Sequence, residues 1–295
     1  MEYKKIKDYI KNELLAVEGI IFDTSSNDTN LDLAGLVTLN AKRLRPVLGI
    51  LFIKACDLEI TKEQFKILAA TEILHNATLV HDDIIDKADF RRDTKTLNKK
   101  YDNNLAVLAG DFLLSIAMKL LLKANSLEVL SIYCNTIREM CTGEINQYFS
   151  KFKMPTIEEY IKKTTQKTAL LFESELESIM LNTNFREQAK DFALNFGIAF
   201  QIRDDILNVI GSDSLKPAQN DIEEGIYTAP VIFAGGTENI QNGIEKSIDL
   251  MDNYFENARR ILNHMPQNDY TNLLRELLDI FNYDEKLGRK NKTYS

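Results

Sequence analysis

Tryptophan is absent from the 295 residues, and proline (5), glycine (12), cysteine (3) and histidine (3) are scarce. So few prolines and glycines cannot punctuate a many-turned β architecture of this length, which favours helices. Cys56, Cys134 and Cys141 have neither metal-ligand spacing nor an even-numbered framework, which leaves free thiols in a reducing compartment. The formal charge of −8 argues against nucleic-acid binding by phosphate neutralisation, although an acidic chain can still hold a concentrated basic pocket. The longest apolar runs, Val47 to Ile53 and Leu105 to Met118 (broken by Asp111), fall short of a membrane span. The charged start Met1-Glu-Tyr-Lys-Lys-Ile-Lys-Asp precedes no apolar region of the signal-peptide kind. A soluble, cytoplasmic protein is expected.

What is present is helical periodicity. Residues 3–22 read as an amphipathic helix and 23–30 as a polar linker. Residues 31–58 are helical again, interrupted by Ala41-Lys-Arg-Leu-Arg-Pro46. Thr61 with Gln64 makes a capping box that opens a long helix through Ile85, in which Ile67, Leu68, Ile73, Leu74, Ala77, Thr78 and Ile84 keep helical spacing. A basic, polar stretch at 87–104 breaks the pattern, and 105–124 and 129–149 resume it. Another helix starts at Pro155-Thr156, with Thr156 and Glu159 as cap partners, and runs to about residue 182. Residues 185–210 are helical, 211–224 a loop, and two or three further helices follow Pro230. No composition shift, internal repeat or low-complexity tract divides the chain, so a single all-α domain over 1–295 is predicted, with roughly ten to twelve helices.

Leu79-Val-His-Asp-Asp-Ile-Ile-Asp86 ends the long helix. Asp82 and Asp86 stand at i and i+4 and share one helical face. Like charges there destabilise a helix, worst at its negative C-terminal end, and Mg²⁺ removes that cost because hard oxygen ligands suit it. By itself the pair reads equally well as a solvated helix end. Phe200-Gln-Ile-Arg-Asp-Asp-Ile-Leu-Asn208 repeats the spacing on a second apolar helix, with Asn208 in the third acidic position. Two such faces outside any charge run favour metal binding.

Magnesium in a site of this kind usually accompanies phosphate. Cations alternate with the acidic pairs: Lys42, Arg43 and Arg45 before the first, Arg91-Arg92 after it, Lys167-Thr168 between the two, and Lys216 after the second. Singly each reads as solvated surface. Together they favour a diphosphate site, because guanidinium forks grip phosphate oxygens bidentately.

Asp-Asp-x-x-Asp, Arg-Arg, Lys-Thr and Phe-Gln-x-x-Asp-Asp, in this order over about Ala41 to Pro230, resemble the trans-isoprenyl diphosphate (polyprenyl) synthases. The resemblance implies an all-α bundle of the isoprenoid synthase type with a central cavity. It implies Mg²⁺, on the order of two or three ions, and homodimerisation. The substrates would be isopentenyl diphosphate and an allylic diphosphate, and the product, though the chain has no membrane span, can enter membranes. Lys42, Arg45, His75 and Arg92 would bind isopentenyl diphosphate. Arg91, Lys167, Thr168, Gln201 and Lys216 would contact the allylic diphosphate. Asp82, Asp86 and Asp204 would carry the metal, with Asp83 and Asp205 in support, and Asp82, Asp86, Lys167 and Asp204 would be catalytic.

Some positions depart from the family pattern. Ala41 stands where a glycine is usual, Asn208 where an aspartate is usual, and Glu224-Gly225-Ile226 replaces the common Glu-Gly-Lys. An apolar residue at that last position is frequent in long-chain members. Ala77 and Thr78, five and four residues before Asp82, are small where short-chain members place an aromatic floor, so a long product, octaprenyl or a near neighbour, is expected. Three rival readings are a short-chain farnesyl or geranylgeranyl synthase, a terpene cyclase and a non-catalytic subunit of a heteromeric synthase. The cyclase is disfavoured by the lack of an Asn/Ser/Glu metal motif and of tryptophan, and the subunit by the intact Asp82, Asp83 and Asp86.

Overall fold

The computed structural model describes residues 3–26, 31–38, 41–91, 94–210 and 222–282. The chain divides into two units, residues 7–132 and residues 133–295 together with 1–6.

The N-terminal segment forms α1 (Tyr3–Tyr9) and α2 (Lys11–Ser25), where one helix over 3–22 was expected. The buried Ile10 leaves helical geometry (φ −109°, ψ 27°) and separates them, and α2 continues into the anticipated linker. Next come α3 (Leu33–Thr38), α4 (Leu44–Ala55) and α5 (Lys62–Ile85). Nearly every residue of α4 is buried, as befits a helix apolar all round. The capping box at the start of α5 is present: Gln64 N–H donates to Thr61 Oγ1 (3.1 Å), and Thr61 N–H donates to Gln64 Oε1 (2.8 Å).

Beyond α5, within the polar stretch, β1 (Phe90–Arg91) pairs antiparallel with β2 (Thr94–Lys95), and a short α6 (Leu97–Lys100) follows. Then α7 (Asn103–Leu122) lays Ala106, Ala109, Gly110, Leu113, Ala117 and Leu121 into the core beside α5. The helix expected over 105–124 is present, and Asp111, expected to leave the apolar run short of a membrane span, lies on its exposed side, 3.4 Å from His81 Nε2. By length and composition α7 could therefore cross a membrane, although 44% of its most apolar stretch is buried.

The second unit holds most of α8 (Leu127–Ser150), then α9 (Ile157–Thr164), a π-helical turn at Thr165–Ala169, α10 (Leu170–Ile179) and α11 (Arg186–Ile210). After residue 221 come α12 (Ala229–Ala234), α13 (Ile240–Leu262) and α14 (Asp269–Asn282). The capping box of Thr156 and Glu159 opens α9 as expected. The core of this unit is aromatic and centred on α11. Phe196 lies 5.3 Å from Phe172, 5.9 Å from Phe281 and 6.3 Å from Phe255, centroid to centroid, so rings from α10, α14 and α13 fix one helix. That helix carries Gln201, Asp204 and Asp205.

Candidate active site

In the first unit, the Lys-Arg-Leu-Arg run at the start of α4 divides by burial. Lys42 is exposed, whereas Arg43 and Arg45 are buried. Arg43, at φ 59°, donates from Nη1 to Glu72 Oε1 (3.1 Å) and to Val37 O (2.9 Å), and from Nε to Glu18 Oε1 (3.4 Å). This guanidinium ties α2, α3 and α5 to the entry of α4 and thereby fixes the backbone that carries Lys42 and Arg45. Its multiple charged partners explain how it tolerates 2% exposure.

His75 lies half-buried on α5, Ala77 is buried and Thr78 is half-buried. Two turns after His75 come Asp82, half-buried, and Asp86, the exposed C-cap, whose N–H donates to Asp82 O (2.8 Å). Asp83 points inward. Burial raises its carboxyl above the usual range, and the guanidinium of Arg91, donating from Nε to Oδ1 at 2.7 Å, works against that rise. Asn98 donates to Asp83 O and Ala88 O, and the Thr96 hydroxyl donates to Ala88 O, so the hairpin segment is fastened under the end of α5. Arg91 is aimed by this arrangement. Arg92 lies outside the described residues.

In the second unit a chain of hydrogen bonds joins the Lys-Thr segment to the second acidic pair. The Thr168 hydroxyl donates to Gln201 Oε1 (2.7 Å), Gln201 Nε2 donates to Asp205 Oδ1 (2.9 Å), and the Tyr160 hydroxyl donates to Asp205 Oδ2 (2.7 Å). Asp205 is buried. Desolvation lifts its carboxyl above the ordinary range, while the Tyr160 and Gln201 hydrogen bonds pull it back. Desolvation, then the charge of Asp205, push the Tyr160 phenol well above its usual range, so it stays a donor. Asp204, half-buried, lies 3.3 Å from Arg203, whose guanidinium sits 5.5 Å from the Phe281 ring centroid. Lys167 Nζ is 2.8 Å from Glu144 Oε1 of α8. Asn208 is exposed, and Lys216 lies outside the described residues.

The π turn holds Lys167 and Thr168, and α11 crosses it at Gly197, where an added Cβ would come within 2.6 Å of Ala169 Cα. This close approach brings Gln201, one turn further on, up to Thr168. Tyr160 and Glu144 were not singled out in the sequence. For Tyr160 a weak signal existed: it is the one aromatic residue among Glu158, Glu159, Lys162 and Lys163, seven residues before Lys167.

Among the described residues, no three His, Cys, Asp or Glu side chains gather into a metal cage. A carboxylate pair at i and i+4 fits Mg²⁺ nevertheless, because that ion retains waters and completes its octahedron with phosphate oxygens rather than with an all-protein cage.

The polyprenyl synthetase family pattern matches residues 32–265. The chain belongs to the polyprenyl synthetase family. Heptaprenyl diphosphate synthase component 2 of Geobacillus stearothermophilus is 30% identical, over 94% of this chain and 97% of its own length. The prenyl transferase of Cyanidium caldarium is 36% identical over 68% of this chain, which spans only 64% of that relative's length, as it does for the prenyl transferase of a Synechocystis strain. Among solved structures, heptaprenyl diphosphate synthase of Staphylococcus aureus superposes with a TM-score of 0.84 at 27% identity, covering 92% of this chain and 98% of its own. A Caulobacter crescentus polyprenyl synthase, solved with calcium and isoprenyl diphosphate, has the same TM-score at 25% identity, with 98% of each chain covered. The family and the all-α fold expected from the motifs are both found.

Proposed function

We propose that this family member is a Mg²⁺-dependent trans-prenyltransferase that condenses isopentenyl diphosphate onto an allylic diphosphate to give a long-chain all-trans polyprenyl diphosphate, octaprenyl or near it. The observation that carries this reading is the Thr168–Gln201–Asp205–Tyr160 chain of hydrogen bonds, which holds the Lys-Thr segment beside the second acidic pair. Heptaprenyl synthase relatives at 27–30% identity support a long product.

In this reading Lys42, Arg45 and His75 hold isopentenyl diphosphate, and Arg91, Lys167, Thr168 and Gln201 hold the allylic diphosphate. Asp82, Asp86 and Asp204 present carboxylates for the metal, and Asp83 and Asp205 anchor those motifs from within. Bound Mg²⁺ supplies positive charge that offsets the diphosphate as it departs. The Lys167 ammonium exchanges Glu144 for a phosphate oxygen and stabilises the same developing charge. The allylic carbon–oxygen bond breaks with its electron pair leaving on diphosphate. The double bond of isopentenyl diphosphate attacks the allylic cation, and the proton lost to restore an alkene passes to the departed diphosphate. No side chain is assigned as the base. Free thiols at Cys56, Cys134 and Cys141 favour a reducing cytoplasm, and the exposed side of α7, with Leu108 and Leu122 in solvent, is the face that a second copy would cover.

The test is chromatography of products from the purified chain with farnesyl diphosphate, isopentenyl diphosphate and Mg²⁺. Long prenyl diphosphates are expected, and their absence removes the reading for the isolated chain. A second reading, that the chain acts only beside another polypeptide, draws on the near full-length relative whose name makes it one component of a synthase. It requires product to appear only when that second polypeptide is added.

A further inference from the structure

The end of α8 and the turn beyond it expose more apolar surface than anything in the unit explains. Within ten residues Ile145, Tyr148 (70%), Phe149 (77%), Phe152 (67%) and Met154 stand in solvent. Tyr148 and Phe149 meet edge to face at 5.5 Å, which leaves their outer surfaces bare. Phe152 adopts φ 66°, a left-handed conformation that glycine or asparagine takes at far lower cost than a bulky ring. The turn is nonetheless held firmly. Phe152 N–H donates to Gly225 O (3.3 Å), Lys153 N–H donates to Ser150 O (3.2 Å), and a Cβ at Gly225 (φ 75°) would lie 2.5 Å from Phe152 N. A rigid turn thus displays a strained, solvent-facing phenylalanine.

Lysines interleave with the rings: Phe149, Lys151, Phe152, Lys153. Aromatic rings beside snorkelling lysines match the boundary between acyl chains and headgroups of a bilayer. A stable protein contact needs roughly 800 Å² per partner, more than one ten-residue turn supplies. The turn also adjoins the candidate site in its own unit, since Glu144, the partner of Lys167, is one helical turn before Tyr148.

We propose that residues 145–154 are a lipid-surface docking element, with Phe149 and Phe152 inserted at the acyl boundary and Lys151 and Lys153 at headgroup phosphates. The need for it rests on the long-chain product proposed above, which is insoluble in water and must pass to a bilayer; the surface itself does not rest on that reading. Glu158, Glu159, Glu223 and Glu224 flank the turn and weaken attraction to anionic lipid, so the rings carry the binding.

Flotation of the full chain with phosphatidylcholine vesicles, with and without phosphatidylglycerol, tests this without substrate. The chain is expected to float with both. F149S/F152S lowers partitioning at least about tenfold, and K151E/K153E removes only the increment due to phosphatidylglycerol. Neither variant changes the rate of the first condensation in detergent. A chain that floats with neither vesicle, or F149S/F152S that floats like wild type, overturns the proposal. A change of sedimentation coefficient in F149S/F152S without lipid assigns the patch to protein contact instead and also overturns it. A chain that floats yet makes no product retains this inference and loses the functional one, and an active chain that never floats does the reverse.

Discussion

Asp205 is a buried carboxyl group whose two oxygens accept hydrogen bonds from Tyr160 and Gln201. Removing the phenol hydroxyl in Tyr160→Phe leaves one oxygen without its donor, at a cost of about 1–3 kcal/mol while the group is charged. The sign with pH follows from linkage. Burial already raises the folded carboxyl above its unfolded value, and the Tyr160 hydrogen bond lowers it, so the variant raises it further. Below the ordinary carboxylate range Asp205 is protonated in both folded and unfolded chains, and the variant loses only a neutral hydrogen bond. As pH rises through the raised range, the buried charge must form without its donor. The stability gap between wild type and Tyr160→Phe in urea denaturation is therefore smallest in acid and widens towards neutrality. A gap that stays constant or narrows would show that Tyr160 merely fills space.

At the scale of elements, local signals were legible and distant ones were not. The capping boxes at Thr61 and Thr156 each involve partners three residues apart, and both are found. Arg43 was grouped with the cations of the diphosphate site, whereas it is spent inside the first unit on Glu18 and Glu72, carboxylates 25 and 29 residues away that local spacing does not reveal. The π turn was read as plain helix, since nothing in Thr165–Ala169 marks a shifted hydrogen-bond register. The contact it takes part in is tertiary: α11 comes onto Ala169 at Gly197, where a Cβ would lie 2.6 Å from Ala169 Cα. In Gly197→Ala the added methyl must separate the two, at about 1–3 kcal/mol of overpacking, lengthening the Thr168–Gln201 hydrogen bond. Expected outcomes are a thermal midpoint lower by several degrees and a raised KM for the allylic substrate, with KM for isopentenyl diphosphate little changed. Equal rises in both would place the damage elsewhere. Ala77 is the corresponding position on α5, buried one turn before the first acidic pair and small. Ala77→Phe puts a ring at that level, and product chromatography should then show shorter prenyl chains at a similar rate of first condensation. An unchanged product distribution removes Ala77 from chain-length control.

At the scale of the whole molecule, the exposed side of α7 sets leucine and methionine around one aspartate and one serine. Leu108, Asp111, Ser115, Met118 and Leu122 recur at intervals of three and four residues along that side, with Leu108 64% and Leu122 57% exposed. A stripe of this period suits antiparallel contact with its own copy, because a two-fold axis lets one patch cover itself. Burying two leucines per protomer at about 1.5–3 kcal/mol each contributes materially to association. Leu108→Glu with Leu122→Glu would place four carboxylates in the joint dimer surface, which the attraction between the remaining apolar groups could not offset. Wild type should sediment at twice the monomer mass of 33.8 kDa, and the double variant at the monomer mass with an unchanged helical circular dichroism spectrum. A wild type that sediments as a monomer leaves α7 with no second copy to cover it. A double variant that remains dimeric moves the contact to another face.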